Sequence, residues 1–410
     1  MLLAFDIQQQ QLDALNQWRI DRALAAGTTA FQQIYQVLPL LLHYHHPRLP
    51  GYETAEVPHG ISLFQATAQQ QKLLSAILPG IQVDRLNGEE PPAIAAIYSM
   101  GSTASLGQTS ASDLDLWICL QPDLAPTARN ALQHKCQLLC RWGKHQGIEL
   151  SFFMIDTPYG AGSAKVGQRA RQINPSIHPL ILDEFYRTHV RLAGKRLLWP
   201  LIPVEQEKNY QQYCTTLYHQ RIIHSDHWID FGKLPDRLPT DYLSIVQQQR
   251  YNNDLILNKL VLKNLLLESY AAEASKTSWC ASTYKQQLQK TSWQALELDS
   301  YCQLLNHISH YLEQQGAHER LARIRRCFYR KICDHTNHPL ANATWRQSLI
   351  RHLLQRWGWD QEMLQRAAPI TDNAPCKRRA IQYELLQEIK VNLDNLQKIR
   401  LSTSSVLYQP

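Results

Sequence analysis

Between Tyr98 and Trp117 the chain reads Tyr-Ser-Met-Gly-Ser-Thr-Ala-Ser-Leu-Gly-Gln-Thr-Ser-Ala-Ser-Asp-Leu-Asp-Leu-Trp. Asp113 and Asp115 are separated by one residue and open an apolar run, Leu116 to Leu120. In a strand, alternate side chains share a face, so the two carboxylates project together while Leu114 and Leu116 turn to a core. Carboxylates held side by side repel each other unless a cation joins them. Mg²⁺ is the usual cation, and it brings a substrate's phosphates with it. Ten residues ahead of Asp113, a second apolar run (Ile94 to Tyr98) leads into Gly101-Ser102. A Gly-Ser turn lets backbone approach a phosphate closely and offers N–H and hydroxyl donors. The spacing therefore points to metal-dependent chemistry on a nucleoside triphosphate.

The elements that must position these groups alternate. Strand Ile94–Met100, a turn, strand Asp113–Leu120 and a helix from Pro126 to Lys144 are followed by strand Ile148–Ile155. A helix over Leu180–Leu192 and a short closing strand at Arg196–Trp199 complete the mixed region. A small-residue loop carries Gly160, Gly162 and Gly167. Upstream, Ile7 to Tyr44 reads as two helices parted near Gly27, and Gln69 to Leu78 as a third. Beyond Pro203 the patterns are helical: Leu255–Ala272, Leu298–Gln315, Arg320–Cys333, Trp345–Trp357 and Arg379–Arg400. The expected organisation is α+β. A helical segment over 1–85 packs on a catalytic core over 86–202, a helical domain over 203–401 closes the nucleotide cleft, and 402–410 is a frayed tail.

Strand, Gly-Ser turn, spacer, Asp-x-Asp and strand form the pattern of the DNA-polymerase-β-like nucleotidyltransferase superfamily. Met100 to Trp117 resembles, more narrowly, the signature of the class I (enterobacterial-type) adenylate cyclases. Further segments resemble that family in the same order. They are Arg22-Ala-Leu-Ala-Ala, Leu41-Leu-His-Tyr-His-His-Pro47, Gly147-Ile-Glu-Leu-Ser-Phe-Phe-Met-Ile-Asp156, Leu182-Asp-Glu-Phe-Tyr-Arg-Thr188, Arg191-Leu-Ala-Gly-Lys-Arg-Leu-Leu-Trp199, Leu262-Lys-Asn-Leu-Leu-Leu-Glu-Ser-Tyr270, Arg325-Arg-Cys-Phe-Tyr329 and Trp357-Gly-Trp359. The resemblance implies a nucleotidyltransferase fold and conversion of ATP to 3′,5′-cyclic AMP and pyrophosphate. It matches the family's catalytic half; the regulatory C-terminal half that members usually carry is expected to be absent from this chain.

The expected site follows. Asp113 and Asp115 bridge two Mg²⁺ ions, with Mn²⁺ as a substitute; one holds the triphosphate and the other lowers the pKa of the attacking hydroxyl. Glu149 is the expected third carboxylate, because the superfamily takes one from the strand after the connecting helix, where it can bind metal and accept the hydroxyl proton. Asp156, on the opposite face by alternation, is the weaker candidate. Gly101, Ser102 and Ser112 serve the phosphates, and Trp117, sharing the parity of the aspartates, either walls the nucleotide or packs into the sheet. A triphosphate carries about four negative charges and needs further cations. Arg187 with Arg191, Lys195 just beyond, and Lys259 with Lys263 are the candidates, set against the usual fate of such spacing as a solvated basic face.

Other features set limits. The net charge of +7 over 410 residues suits a polyanionic substrate. No dense basic run with interleaved aromatics indicates nucleic acid. Nine cysteines without a C-x-x-C pair read as reduced thiols of a cytoplasmic protein. No apolar run approaches the ~20 residues of a membrane span, and Met1 to Asp6 lacks a signal peptide's basic start. His43, His45 and His46 suggest a metal only weakly, since no acidic or cysteine partner is near in sequence. Two rivals stay open: transfer of AMP to a protein, RNA or small-molecule acceptor, and a non-catalytic nucleotide-binding module.

Overall fold

The computed structural model describes residues 2–77, 79–80, 91–110, 112–158, 177–242, 254–273, 276–290, 292, 294–333, 344–367 and 375–407. The loop carrying Gly160, Gly162 and Gly167 lies outside them. The chain divides into two compact units, one of residues 1–104 and 111–233, the other of residues 105–110 and 234–410.

The first unit is built on a four-stranded sheet: β1 (Ile94–Met100), β2 (Leu114–Leu120), β3 (Leu150–Asp156) and β4 (Val190–Gly194), in the order β3-β2-β1-β4. β1 runs antiparallel to both β2 and β4, whereas β2 and β3 are parallel. Parallel neighbours need a crossover, and α4 (Pro126–His145) supplies it. Pro126 suits the first helical turn, where its missing N–H is not needed. Gly147 adopts φ +81 just beyond the helix, a left-handed conformation that a side chain disfavours. Leu132, Cys136 and Leu139 form the helix's buried stripe.

That stripe packs with Leu114, Leu116 and Ile118 of β2 and with α2 (Thr29–His43) in one hydrophobic core. Thr28 caps α2 by accepting from the Phe31 N–H. α1 (Leu2–Ala26) and α3 (Ala68–Ile77) complete the N-terminal helices. The other face of the sheet is aromatic. Trp117 of β2 stacks on Phe185 of α5 (Pro179–Thr188) at 3.9 Å and 6°, with Phe231 and Tyr98 edge-on to Phe185.

Two expectations for this region are corrected. The helix expected over Leu180–Leu192 stops at Thr188, and Val190–Gly194 becomes β4. The reason is tertiary: β1 needs a second neighbour, and Arg19 of α1 caps the helix end by donating to the Arg187 and His189 carbonyls at 3.0 and 2.8 Å. Arg196–Leu197 (β5) does form a strand, but it pairs in parallel with β6 (Trp228–Ile229), so strand structure continues past Pro203. Between them lie two single-turn 3₁₀ helices and α6 (Tyr210–His219).

The second unit is helical. It comprises α7 (Asp254–Ala272), α8 (Cys280–Leu288), α9 (Ala295–Leu298), α10 (Ser300–Gln314), α11 (His318–Ile332), α12 (Thr344–Trp357), α13 (Gln361–Ala367) and α14 (Pro375–Leu407). α7 is central: Leu260, Val261, Leu262, Leu265 and Tyr270 are buried as it packs against α10, α11 and α14. Asp299 separates α9 from α10 because its side chain caps the second helix, accepting from the Tyr301 and Cys302 N–H groups. The tail expected to fray from Ser402 instead continues α14 to Leu407.

Most cysteines with described side chains are buried, and none is in a disulfide. Burial pushes the Cys327 and Cys333 thiols up to about 12, which keeps them protonated and unreactive. Among the described residues, no helix is long and apolar enough to cross a membrane.

Candidate active site

Gly101 closes β1 at φ +82, and the position a Cβ would occupy there lies 3.5 Å from Asp115 Oδ2. The turn therefore brings backbone directly beside the second carboxylate of the Asp-x-Asp pair. Register explains the approach, because Met100 of β1 sits opposite Asp115 of β2. Asp113 immediately precedes the strand. Both aspartates are half-buried, while Leu114 and Leu116 are fully buried, as alternation requires. Ser102 Oγ donates to Ser112 Oγ at 3.2 Å, so the residues flanking the connection are drawn together ahead of Asp113. Gly101, Ser102, Ser112, Asp113 and Asp115 are thus gathered in one place.

One residue that the sequence reading passed over belongs to this group. Thr188, the last residue of α5, accepts from the Gly101 N–H at 3.1 Å and donates to the Glu184 carbonyl at 2.6 Å. It holds the turn. No local pattern could have disclosed a partner so far along the chain.

Other expected residues lie elsewhere. Trp117 is 2% exposed, with a face occupied by Phe185; of the two readings its parity allowed, core packing is the one observed. Arg187 is 3% exposed and ion-paired to Asp183, itself 1% exposed, at 3.4 Å. The pair brings opposite charges together where burial would otherwise be costly. Arg191 is on β4, where it pairs with Asp13 of α1 at 2.9 Å.

Lys195 stands at the far end of the sheet from Asp115. Its N–H donates to the Ala95 carbonyl and its Nζ to Gln121 Oε1, both at the Ile94 end of β1. Asp115 is at the Met100 end, roughly 17 Å along the sheet for about five residues of strand. Burial lowers the Lys195 pKa. Asp156 is at that same far end, opposite Leu120, and is paired with Arg129. Lys259 and Lys263 are one turn apart and partly exposed on α7, in the helical unit.

Glu149 directly precedes β3, and its carbonyl accepts from the Leu114 N–H at 2.9 Å. Its side chain is exposed and lines an open pocket of about 250 Å³ with Cys140, Arg141, Lys144 and Leu150. Among the described residues no group of three or more His, Cys, Asp or Glu side chains converges as a metal cage would require. The structure joins Asp113 and Asp115 to the Gly-Ser turn, and the parallel register that pairs Leu114 with Leu150 sets Glu149 beside Asp113, with its side chain exposed. The histidines near Pro47 are structural. His43 Nδ1 accepts from the Ile61 N–H, His46 Nδ1 from the Arg48 N–H, and His45 bonds the Thr54 carbonyl and Lys135 Nζ.

The donor set present fits a hard divalent cation: two carboxylates on one strand face, partly open, with hydroxyls beside them. Comparison with known proteins gives the family. The family described as "Adenylate cyclase NT domain" matches residues 5–200, and "Adenylate cyclase, class-I, second domain" matches residues 240–403. Among similar proteins, the adenylate cyclase of Yersinia intermedia is 42% identical over 366 residues, covering 89% of this chain and 43% of the relative. That of Escherichia coli (strain K12) is 41% identical over 367 residues, with the same two coverages. The Salmonella typhimurium (strain LT2) enzyme is 40% identical over 367 residues. The chain thus spans less than half the length of these relatives. No solved structure is significantly similar to it. With both domains matched in order across the two units, the chain belongs to the class-I adenylate cyclase family.

Proposed function

We propose that this chain converts ATP to 3′,5′-cyclic AMP and pyrophosphate, the ribose 3′-OH attacking the α-phosphorus of the same molecule. The observation that carries the proposal is the juxtaposition of the Gly101 turn with Asp115 and of Ser102 with Ser112. The relatives' name, adenylate cyclase, favours this reaction within the wider class of nucleotidyl transfers. The mixed sheet, with its carboxylates at the start of β2, is compatible with a nucleotidyltransferase core, and we assign it to that class.

Asp113 and Asp115 would hold the cations, two Mg²⁺ ions in this reading. Bound there, Mg²⁺ supplies neutralisation of the triphosphate and acidification of the attacking hydroxyl. Ser102 donates to a β- or γ-phosphate oxygen once its bond to Ser112 is exchanged for the substrate. The absence of a side chain at Gly101 lets the phosphates approach the turn. Thr188 keeps the turn in register with Asp115. Because nucleophile and electrophile belong to one molecule, orientation replaces a second binding event. The assignment rests on Asp113 and Asp115 and does not use Glu149.

Incubation with Mg²⁺-ATP as sole substrate is the test. Cyclic AMP and pyrophosphate should form in equal amounts and cease on chelation of the cation. Failure to make either product, or adenylylation of an added acceptor instead, would refute the cyclase reading.

A further inference from the structure

The connection between β1 and β2 is held in an unusual way. Residues 105–110 group with the helical unit rather than with the sheet that they interrupt. Their backbone is tied down by three charged side chains from distant parts of the chain. The Leu106 N–H donates to Asp299 Oδ2 at 2.9 Å, while the other oxygen of that carboxylate caps α10. Lys331 Nζ, from the end of α11, donates to the Gly107 carbonyl at 3.0 Å. Arg346 of α12 donates to the Gln108 carbonyl at 2.7 Å and to the Ser105 carbonyl at 3.4 Å, and its second terminal nitrogen to the Ile332 carbonyl at 2.9 Å. Four consecutive residues are thereby fixed through their main chain.

The fit is close. A Cβ on Gly107 would stand 2.3 Å from the Tyr301 ring, so only glycine passes there. Leu106 is fully buried, and Asp299 and Lys331 are 2% and 8% exposed. Burying charged groups is costly unless they are well bonded, and an apolar filling could cover a short loop without them. What these side chains add is a defined main-chain path. That path begins three residues after Ser102 and ends four residues before Ser112, the two serines that hydrogen-bond ahead of Asp113.

We propose that Asp299, Lys331 and Arg346 are positioning residues of the nucleotide site. By fixing the 105–108 backbone, they restrain the connection that runs along the chain from the Gly101-Ser102 turn to the Asp113–Asp115 pair. The inference rests on the cyclase reading. Loosening the path weakens the grip on metal and triphosphate before it affects the chemistry, because the parts released are those that bind phosphate and cation.

The test uses the full chain with Lys331→Met, which keeps the length of the side chain and removes the donor, beside Lys331→Arg, which keeps a donor. Lys331→Met should raise both the KM for metal-ATP and the cation concentration for half activity by about tenfold, the scale of one charge-assisted hydrogen bond. Its thermal midpoint should fall by only a few degrees, and Lys331→Arg should recover most of the loss. Should Lys331→Met not fold, Arg346→Lys, which keeps one donor and drops the others, must shift the same two quantities. Unchanged KM and cation requirement would overturn the inference, and so would activity lost only in proportion to unfolding. If the unsubstituted chain makes no cyclic AMP, the cyclase reading falls by itself. Binding of Mn²⁺ with a non-hydrolysable ATP analogue then decides: weaker binding by Lys331→Met sustains the positioning role, and equal binding ends it.

Discussion

Carboxylates occupy two contrasting settings in this chain. Glu268, near the C-terminal end of α7, is fully buried. Arg320 binds its two oxygens at 2.9 and 3.0 Å, and Tyr311 and Asn395 donate to it as well. Arg320 also reaches Glu388 at 2.7 Å, joining α7, α11 and α14 through one guanidinium. Asp113 and Asp115, by contrast, are half-buried at the start of β2, beside a turn with no side chain. Charge in the helical unit holds helices together, whereas at the start of β2 two half-buried carboxylates lie beside the Gly101 turn. The same residue class serves structure where its bonds are completed internally, and chemistry where some access is kept.

Substitutions should separate the two settings. The largest effect on turnover is expected for Asp115→Asn, which keeps shape and loses charge. Cyclic AMP formation should fall by about a thousandfold, by analogy with loss of one preorganised charge-stabilising group, while chemical denaturation shows little change. Arg320→Met should do the reverse. Leaving Glu268 and Glu388 without their shared cation costs about 3–5 kcal/mol of stability, read as an earlier denaturation midpoint, with KM unchanged in the fraction still folded. If Asp115→Asn unfolds the protein and Arg320→Met does not, the contrast is wrong.

Smaller effects sharpen it. Ser102→Ala should raise the KM for ATP by about tenfold, the worth of a hydrogen bond to a charged group, without lowering the thermal midpoint. Acid should act on neither setting first. Burial lowers the pKa of His45 to about 4 and that of His189 to about 3. The unfolded chain therefore binds protons that the native state refuses, and stability should decline as pH falls from about 6.5 towards 4. His45 Nδ1 meets Lys135 Nζ at 3.2 Å, so its protonation also sets two cations together. Replacing His45 by Gln should flatten that slope, as followed by thermal unfolding across the range. Smallest of all, Lys195→Met should leave KM for ATP within about twofold, since strand spacing puts Lys195 at the far end of the sheet.

Much of this was legible in the sequence where the signal is local. β1 was bounded exactly, and β2, α4 and α7 within a residue, by apolar runs, by Pro126 and by Gly147. The grouping of Gly101, Ser102, Ser112, Asp113 and Asp115 followed from strand alternation and one short connection. Errors arose where long-range partners decide. Arg187 and Arg191 have helical spacing, yet pairing with β1 makes a strand of the second and Asp183 buries the first. Residues 228–229 become a strand only because Arg196–Leu197 lies beside them. Thr188 and the side chains around residues 105–108 act across 87 to 241 positions of sequence, which no periodicity records. Glu149 is legible as the residue entering β3 beside Asp113, whereas its neighbours Cys140, Arg141 and Lys144 of α4 come to it only through the fold.

The central claim is that Asp113 and Asp115 form a cation site that takes up a triphosphate. Mn²⁺ titration followed by electron paramagnetic resonance, with and without a non-hydrolysable ATP analogue, addresses it most directly. Saturable Mn²⁺ binding that the analogue strengthens, and its loss in folded Asp115→Asn, is the expected result. Equal binding by the parent chain and Asp115→Asn would contradict it.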